Sequence, residues 1–384
     1  MSSLSIKCPL LYFLHIGMIL VVLASIAKTE EPQKIPVIYS TDLFQPPEDP
    51  DDHYDLAILA GLEELELKAL IFDLGTAHRN TEEIGITALN QMAKITGHPS
   101  PPWKIGLRNP LRSPDDKALD QPDEFQGGVE LILSTLEQSD EKVVMFMVGS
   151  CRDFAVAFNR NPDLLRQKVK AVYVNAGNGP GGKQTEWNVA LDPNAYLGLM
   201  NSGLPIYWCP CFTDVFQPPS HKEIAEGKAY CTYFIVPNQA KLLASTRKEV
   251  KNYFVYALDK SSEEPLGFLD RQPNPLPVTS RNMWCTGPFL HAACREIYQT
   301  QDGCWIACTS DVAKKHSKNI DKIEIFRFDP ISFKPVLKTE NGKPVPEFQE
   351  TTNGDFPSVQ IFRYVHPDYN EIMPSVLTSL LETL

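Results

Sequence analysis

Ile35–Tyr39 runs into Ser40–Thr41–Asp42, and after a short Pro-rich loop Asp49–Pro50–Asp51–Asp52–His53–Tyr54–Asp55–Leu56–Ala57 follows. An apolar, strand-like run ends on a carboxylate. The loop then delivers several more carboxylates to the start of an apolar, helix-like segment. So many negative charges in one place are costly unless something offsets them. A hard cation held by oxygen ligands would do so. So would carboxylates sharing protons in a catalytic site, and a solvated acidic loop would avoid the cost.

The same pattern repeats downstream. Strand-like runs are expected at Leu67–Asp73, Trp103–Leu107, Val143–Val148, Ala171–Asn175 and Pro205–Cys209, most of them nearly continuously apolar. Such runs suit strands buried on both faces. Between them lie helix-like stretches: Glu82–Thr96, with Ile84, Ala88 and Met92 on one stripe, then Phe125–Leu136 and Phe154–Leu165. Asp192–Pro193 reads as an N-cap followed by a first-turn proline. This alternation predicts an α/β fold: a doubly wound, mostly parallel central sheet flanked by helices. Ligands in such sheets sit beyond the carboxyl ends of the strands. Those ends carry the 42–52 loop, Asp73–Leu74–Gly75, Gly149–Ser150–Cys151–Arg152–Asp153 and Asn175–Ala176–Gly177–Asn178.

Residues 213–284 read as a helical, Pro-rich excursion on the same domain, with helical patterns at Gln239–Ser245 and Val250–Leu258 and an irregular loop at Pro273, Pro275 and Pro277. From 322 to 384 a small β-rich addition is expected. Ile323–Phe328 and Val359–Tyr364 alternate, Asn341–Gly342 is a hairpin signal, and a final helix starts near Tyr369.

The chain has 384 residues, 43% of them hydrophobic, ample for one large domain. Lys7 precedes an apolar run, Pro9–Ile26, that ends in the small-x-small site Ser25–Ile26–Ala27. This reads as a signal peptide over 1–27, leaving a single domain over 28–384. An uncleaved anchor is the rival reading. Cleavage moves the net charge from −12 to −13. An acidic protein exported to the periplasm or beyond the cell, with no Lys/Arg cluster, excludes nucleic acid as a partner. No membrane association is expected after cleavage, and a homo-oligomer is left open. Eight of nine cysteines follow the signal. Cys209/Cys211 and Cys304/Cys308 have metal-like spacing, but no His-rich motif accompanies them. Buried thiols, or one or two disulfides, are therefore expected.

Several blocks, in order and approximate spacing, resemble the nucleoside hydrolases of the inosine-uridine-preferring type. They are Thr41–Asp42 with Asp51–Asp52; Ala88–Leu89–Asn90 through Gly106 to Asn109–Pro110–Leu111; Val148–Gly149–Ser150–Cys151–Arg152–Asp153–Phe154–Ala155, beside the family's Leu-Gly-Pro-Leu-Thr-Asn-Leu-Ala; and Glu186–Trp187–Asn188 with Asp192–Pro193–Asn194–Ala195. The resemblance implies an N-glycosidic hydrolase acting on a nucleoside or related riboside by metal-assisted water attack. It implies calcium held by Asp42, Asp52 and the carbonyl of Arg152, with Asp42 also taking a proton from the attacking water. Asp51, Asn178, Glu186 and Asn188 would grip the sugar. Phe289–Leu290–His291 falls where the family has a His-Asp pair, which makes His291 the candidate acid for the departing base.

The chain departs from the family in three places. The 43–50 loop is longer and Pro-rich, the aspartate two residues before Asp42 is Ser40, and the aspartate after the late histidine is Ala292. The last removes a calcium carboxylate. It opens the alternative of a catalytically impaired riboside-binding protein, while the extended loop and the Pro-rich insertion open that of a carbohydrate-active hydrolase on the same fold.

Overall fold

The computed structural model describes residues 33–384 apart from 44–49, 75–80, 181, 183–184, 214–215, 273–274, 277, 316–319, 341–342 and 351–357. The expected signal segment, Asp49, Gly75 and Asn341–Gly342 lie outside the described residues. Ile35–Leu384 forms one compact unit.

Its centre is a nine-stranded sheet in the order β13-β12-β14-β6-β5-β4-β1-β2-β3. The strands are β1 (Ile35–Thr41), β2 (Leu65–Phe72), β3 (Trp103–Ile105), β4 (Val143–Val148), β5 (Val169–Asn175), β6 (Ile206–Trp208), β12 (Phe326–Glu340), β13 (Lys343–Glu350) and β14 (Ser358–Tyr364). β14 through β3 pair in parallel, and β12 and β13 close one edge antiparallel. The expected C-terminal addition thus extends the main sheet, because β14 hydrogen-bonds directly to β6.

β1 and β4 are buried along almost their whole length. Side chains two apart share a face: Val37 and Tyr39 enter one core, Ile38 the other. Helices cover both faces. α1 (Asp51–Gly61), α2 (Thr81–Thr96), α8 (Thr286–Ala292) and α9 (Tyr369–Leu381) pack on one. α3 (Gly127–Gln138), α4 (Arg152–Arg160), α5 (Pro162–Lys168) and α7 (Pro193–Met200) pack on the other. A short α6 (Trp187–Leu191) precedes α7. The helix expected over 154–165 is two helices, since Asn161 leaves helical geometry, caps α5 and is followed by Pro162. Two small antiparallel sheets were not foreseen: β7 (Phe234–Val236) with β8 (Arg281–Met283), and β9 (Arg295–Thr300) flanked by β10 (Trp305–Thr309) and β11 (Ile320–Lys322). Among the described residues no helix is long and apolar enough to cross a membrane.

The chain runs outward from β1 to β2 and β3, then returns to place β4 on the other side of β1. This reversal makes a topological switch point at the carboxyl ends of β1 and β4, the place where doubly wound sheets bind ligands.

Candidate active site

Asp42 lies one residue past β1, and Asp51 and Asp52 open α1. Asp42, Asp51, Asp52, Asp55 and Asp73 are all at least nine-tenths buried. Burying carboxylates is expensive without donors, and donors are present. Thr41 Oγ1 donates to Asp52 Oδ1 at 2.6 Å, and the Tyr39 hydroxyl reaches the same oxygen at 3.3 Å. Ser150 donates to Asp73 from its backbone N–H and, at 2.9 Å, from its hydroxyl. Burial, reinforced by Asp52 and Asp55, pushes the Tyr39 phenol well up, so it stays a donor.

The turn after β4 fits tightly over these acids. Gly149 has φ +110°, and a Cβ there would stand 2.4 Å from Asp73 Oδ2 and 3.4 Å from the Asp42 Cβ. Three residues on, the Arg152 side chain folds into the core, 1% exposed. Its guanidinium bonds Asp192 Oδ2 at 3.2 Å, the Arg108 carbonyl at 3.0 Å and the Leu191 carbonyl at 2.8 Å. Asp192 also caps α7 through Ala195 N and accepts Leu111 N. Asp153 accepts Leu107 N at 3.1 Å. Arg152 and Asp153 together therefore clasp the loop after β3.

Glu186, half-buried, is the N-cap of α6. Its carboxylate accepts from Gly177 N, Asn188 N and Val189 N at 2.9, 2.9 and 3.3 Å. Burial pushes its carboxyl up, against the pull of those three N–H groups and the Cys211 thiol. Both Glu186 oxygens are thus engaged in shaping the turn after β5. Asn188 Nδ2 donates to the Asn175 carbonyl at 3.0 Å, and Asn178 bridges to Phe212. The Cys211 thiol is raised first by burial and then by Glu186, Cys209 and Asp51. Asp42, Asp51 and Asp52 from one side, and Glu186, Asn178 and Asn188 from the other, therefore converge on one edge of the sheet.

His291 is not brought to this edge. The α8 end that meets the acids is its start: Cys285 is raised by burial and then by Asp55, Asp52 and Asp51. His291 stands six residues further on, about 9 Å along the helix axis. It packs against Phe328, Tyr207 and Tyr173 with centroids 4.5, 5.3 and 5.9 Å away. Its Nδ1 shares a hydrogen bond with the Tyr173 hydroxyl at 2.7 Å. Burial lowers its pKa to about 4, so the ring is neutral near pH 7.

Sequence reasoning missed an aromatic group. Phe212, Phe216, Tyr233 and Trp284 lie within 6.2 Å of one another, centroid to centroid. Phe216 is 61% exposed, and Trp284 Nε1 donates to the Cys211 carbonyl. Elsewhere, Trp208 is core and Trp187 is exposed.

The calcium implied by the resemblance calls for six to eight oxygens. Among the described residues no three His, Cys, Asp or Glu side chains come together so as to hold a metal ion. Asp52 and Asp73 already take protein donors, and Ala292 supplies no carboxylate. The described donor set does not fit the ion. All eight cysteines after the signal segment are free thiols, five of them buried.

Solved structures share the fold described above. The inosine-uridine preferring nucleoside hydrolase from Bacillus anthracis superposes with a TM-score of 0.52 at 14% identity, over 91% of this chain and all of the other. The type III effector protein XopQ, solved with adenosine diphosphate ribose, gives 0.51 at 15%, over 92% and 94%. In sequence, the pyrimidine-specific ribonucleoside hydrolase RihA of Enterobacter sp. (strain 638) is 27% identical over 174 residues, 41% of this chain and 55% of that protein. RihA of Citrobacter koseri is 24% identical over 190 residues, 45% and 58%. The aligned region thus spans a little over half the length of these curated relatives. No protein-family model matches the chain. The chain is similar in sequence to ribonucleoside hydrolases over part of its length and shares the fold of solved nucleoside hydrolases.

Proposed function

We propose that the chain is an exported hydrolase that cleaves the N-glycosidic bond of nucleosides or related ribosides. The observation that supports this reading is that Asp42, Asp51 and Asp52 and the Glu186–Asn188 turn all follow the carboxyl ends of strands on one edge of the sheet. Breaking such a bond builds positive charge on the sugar ring, and carboxylates fixed beside it stabilise that charge. In this reading Asp42 takes the proton of the attacking water and Asp51 holds a ribose hydroxyl. Asn178 and Asn188 contact the sugar from the other side, held in place by Glu186. The Phe212–Phe216–Trp284 wall stacks on the base. His291 plays no part, since a neutral ring with its Nδ1 engaged by Tyr173 is a poor acid. Export rests on the Pro9–Ile26 run and the Ala27 site. N-terminal sequencing of the protein recovered outside the cytoplasm should begin at Lys28.

The test is ribose release from a panel of purine and pyrimidine ribonucleosides. Asp42→Asn is expected to lower kcat by roughly 10²–10⁴-fold, the scale of general base catalysis. Phe216→Ala should act mainly on KM. Tight riboside binding without release would move the chain to the riboside-binding alternative. Turnover of glycosides with nucleosides inert would move it to the carbohydrate-active one.

A further inference from the structure

A crowded acid cluster is stable only if something supplies positive charge or donated protons. Here the donors can be named. Asp52 takes the hydroxyls of Thr41 and Tyr39. Asp73 takes the N–H and hydroxyl of Ser150. Cys285 caps the start of α8, which packs against α1, the helix that bears Asp55. The donors come from three separate elements: β1, the turn after β4 and the residue capping α8.

The start of α8 matters most. It is the part of the helix that reaches the acids, and it presents no carboxylate. It offers the Cys285 thiol and then Thr286, fully buried with Oγ1 lacking a partner. Ala292 lies seven residues beyond Cys285, about 10 Å along the axis, so a carboxylate there would not reach the cluster. We infer that hydroxyl and thiol donors of this chain hold the acid cluster in place of a resident divalent cation, with Cys285 occupying the position from which a further carboxylate would complete a metal site. The inference rests on reading this edge as the active site, but its test reads metal and not turnover.

The protein as purified is measured for metal content, and calcium is titrated by calorimetry and by thermal unfolding with and without chelator. The expected result is no stoichiometric calcium and a Tm indifferent to calcium or chelator. A filled site would raise Tm by a few degrees at saturating calcium. One tightly held calcium per chain overturns the inference. Cys285→Asp adds a carboxylate beside Asp51, Asp52 and Asp55, and its Tm is expected to rise with calcium. Ala292→Asp should stay indifferent. A folded Cys285→Asp that ignores calcium, or an Ala292→Asp that responds to it, overturns the position assigned to Cys285. If Cys285→Asp does not fold, the wild-type titration still decides the main point. A chain inert toward every nucleoside would sink the functional reading and leave the metal result standing.

Discussion

Asp153 carries a strongly perturbed carboxyl. It stands where the family block has asparagine. Its carboxyl is fully buried and accepts Leu107 N. The bare Cα atoms of Gly106 and Gly128 crowd it so closely that a Cβ on either would fall within 2.6 Å of its oxygens. Burial first, then the neighbouring Asp73, raises its pKa from 3.8 to about 7, and the Leu107 N–H does not offset them. Between those two values the folded chain keeps a proton that the unfolded chain has released. Stability therefore falls as pH rises from about 4 to about 7 and is level above that window. Asp153→Asn keeps an acceptor for Leu107 and has no charge to bury. The variant should be more stable than wild type at pH 8, by up to about 4 kcal/mol, with the gap closing toward pH 4. Denaturant unfolding across that range measures it, and parallel pH slopes for the two proteins would refute it.

Gly149 shows what an element's end demands. The turn after β4 must lift the chain over Asp73 at φ +110°, and an added Cβ would strike the carboxylate that Ser150 holds. Gly203 also has a positive φ, +73°, but nothing lies within 4 Å of where its Cβ would be. Gly203→Ala should therefore cost only the backbone strain, about 1–2 kcal/mol. Gly149→Ala should cost visibly more in a melt and lose most activity, because Asp73 and Asp42 must shift. Equal costs would mean that the contact with Asp73 is irrelevant.

The same elements show what the sequence made legible. β1 and β4 were readable because strands buried on both faces are nearly all apolar, and α2 because its stripe repeats at helical spacing. The acids of the β1 loop were readable because so many charges beside an apolar run need a reason. β9, Arg295–Thr300, escaped because it is half-buried and mixes charged with apolar residues, which blurs the alternation. The aromatic wall escaped because its members come from separate, partly irregular segments with no shared period. At α8, spacing alone drew attention to His291. Only the packing of the helix against α1 identifies Cys285 as the residue that meets the acids, since a thiol in an apolar run carries no signal of its own.

At the scale of the molecule, the C-terminal segment is part of the machinery and not an appendage. α9 buries Tyr369, Ile372, Met373, Val376, Leu377, Leu380 and Leu381, each at most 3% exposed. These side chains join the core that also holds α1, the helix bearing Asp51, Asp52 and Asp55. Leu384 reaches within ordinary contact of a Cβ placed on Gly61, at the other end of α1. At about 1.5–3 kcal/mol for each buried apolar side chain, α9 contributes on the order of 10–20 kcal/mol. The whole stability of a domain is about 5–15 kcal/mol, so no rearrangement of the remainder makes up the loss. A chain ending at His366 keeps every residue proposed for the site, yet it is expected to lack a cooperative thermal transition, to elute as aggregate and to release no ribose. Single truncations within α9, such as Leu377→Ala, should cost about 2–5 kcal/mol and leave KM and kcat of the folded fraction unchanged. A shortened chain that melted cooperatively with its activity intact would show that α1 and its acids are positioned by the sheet alone.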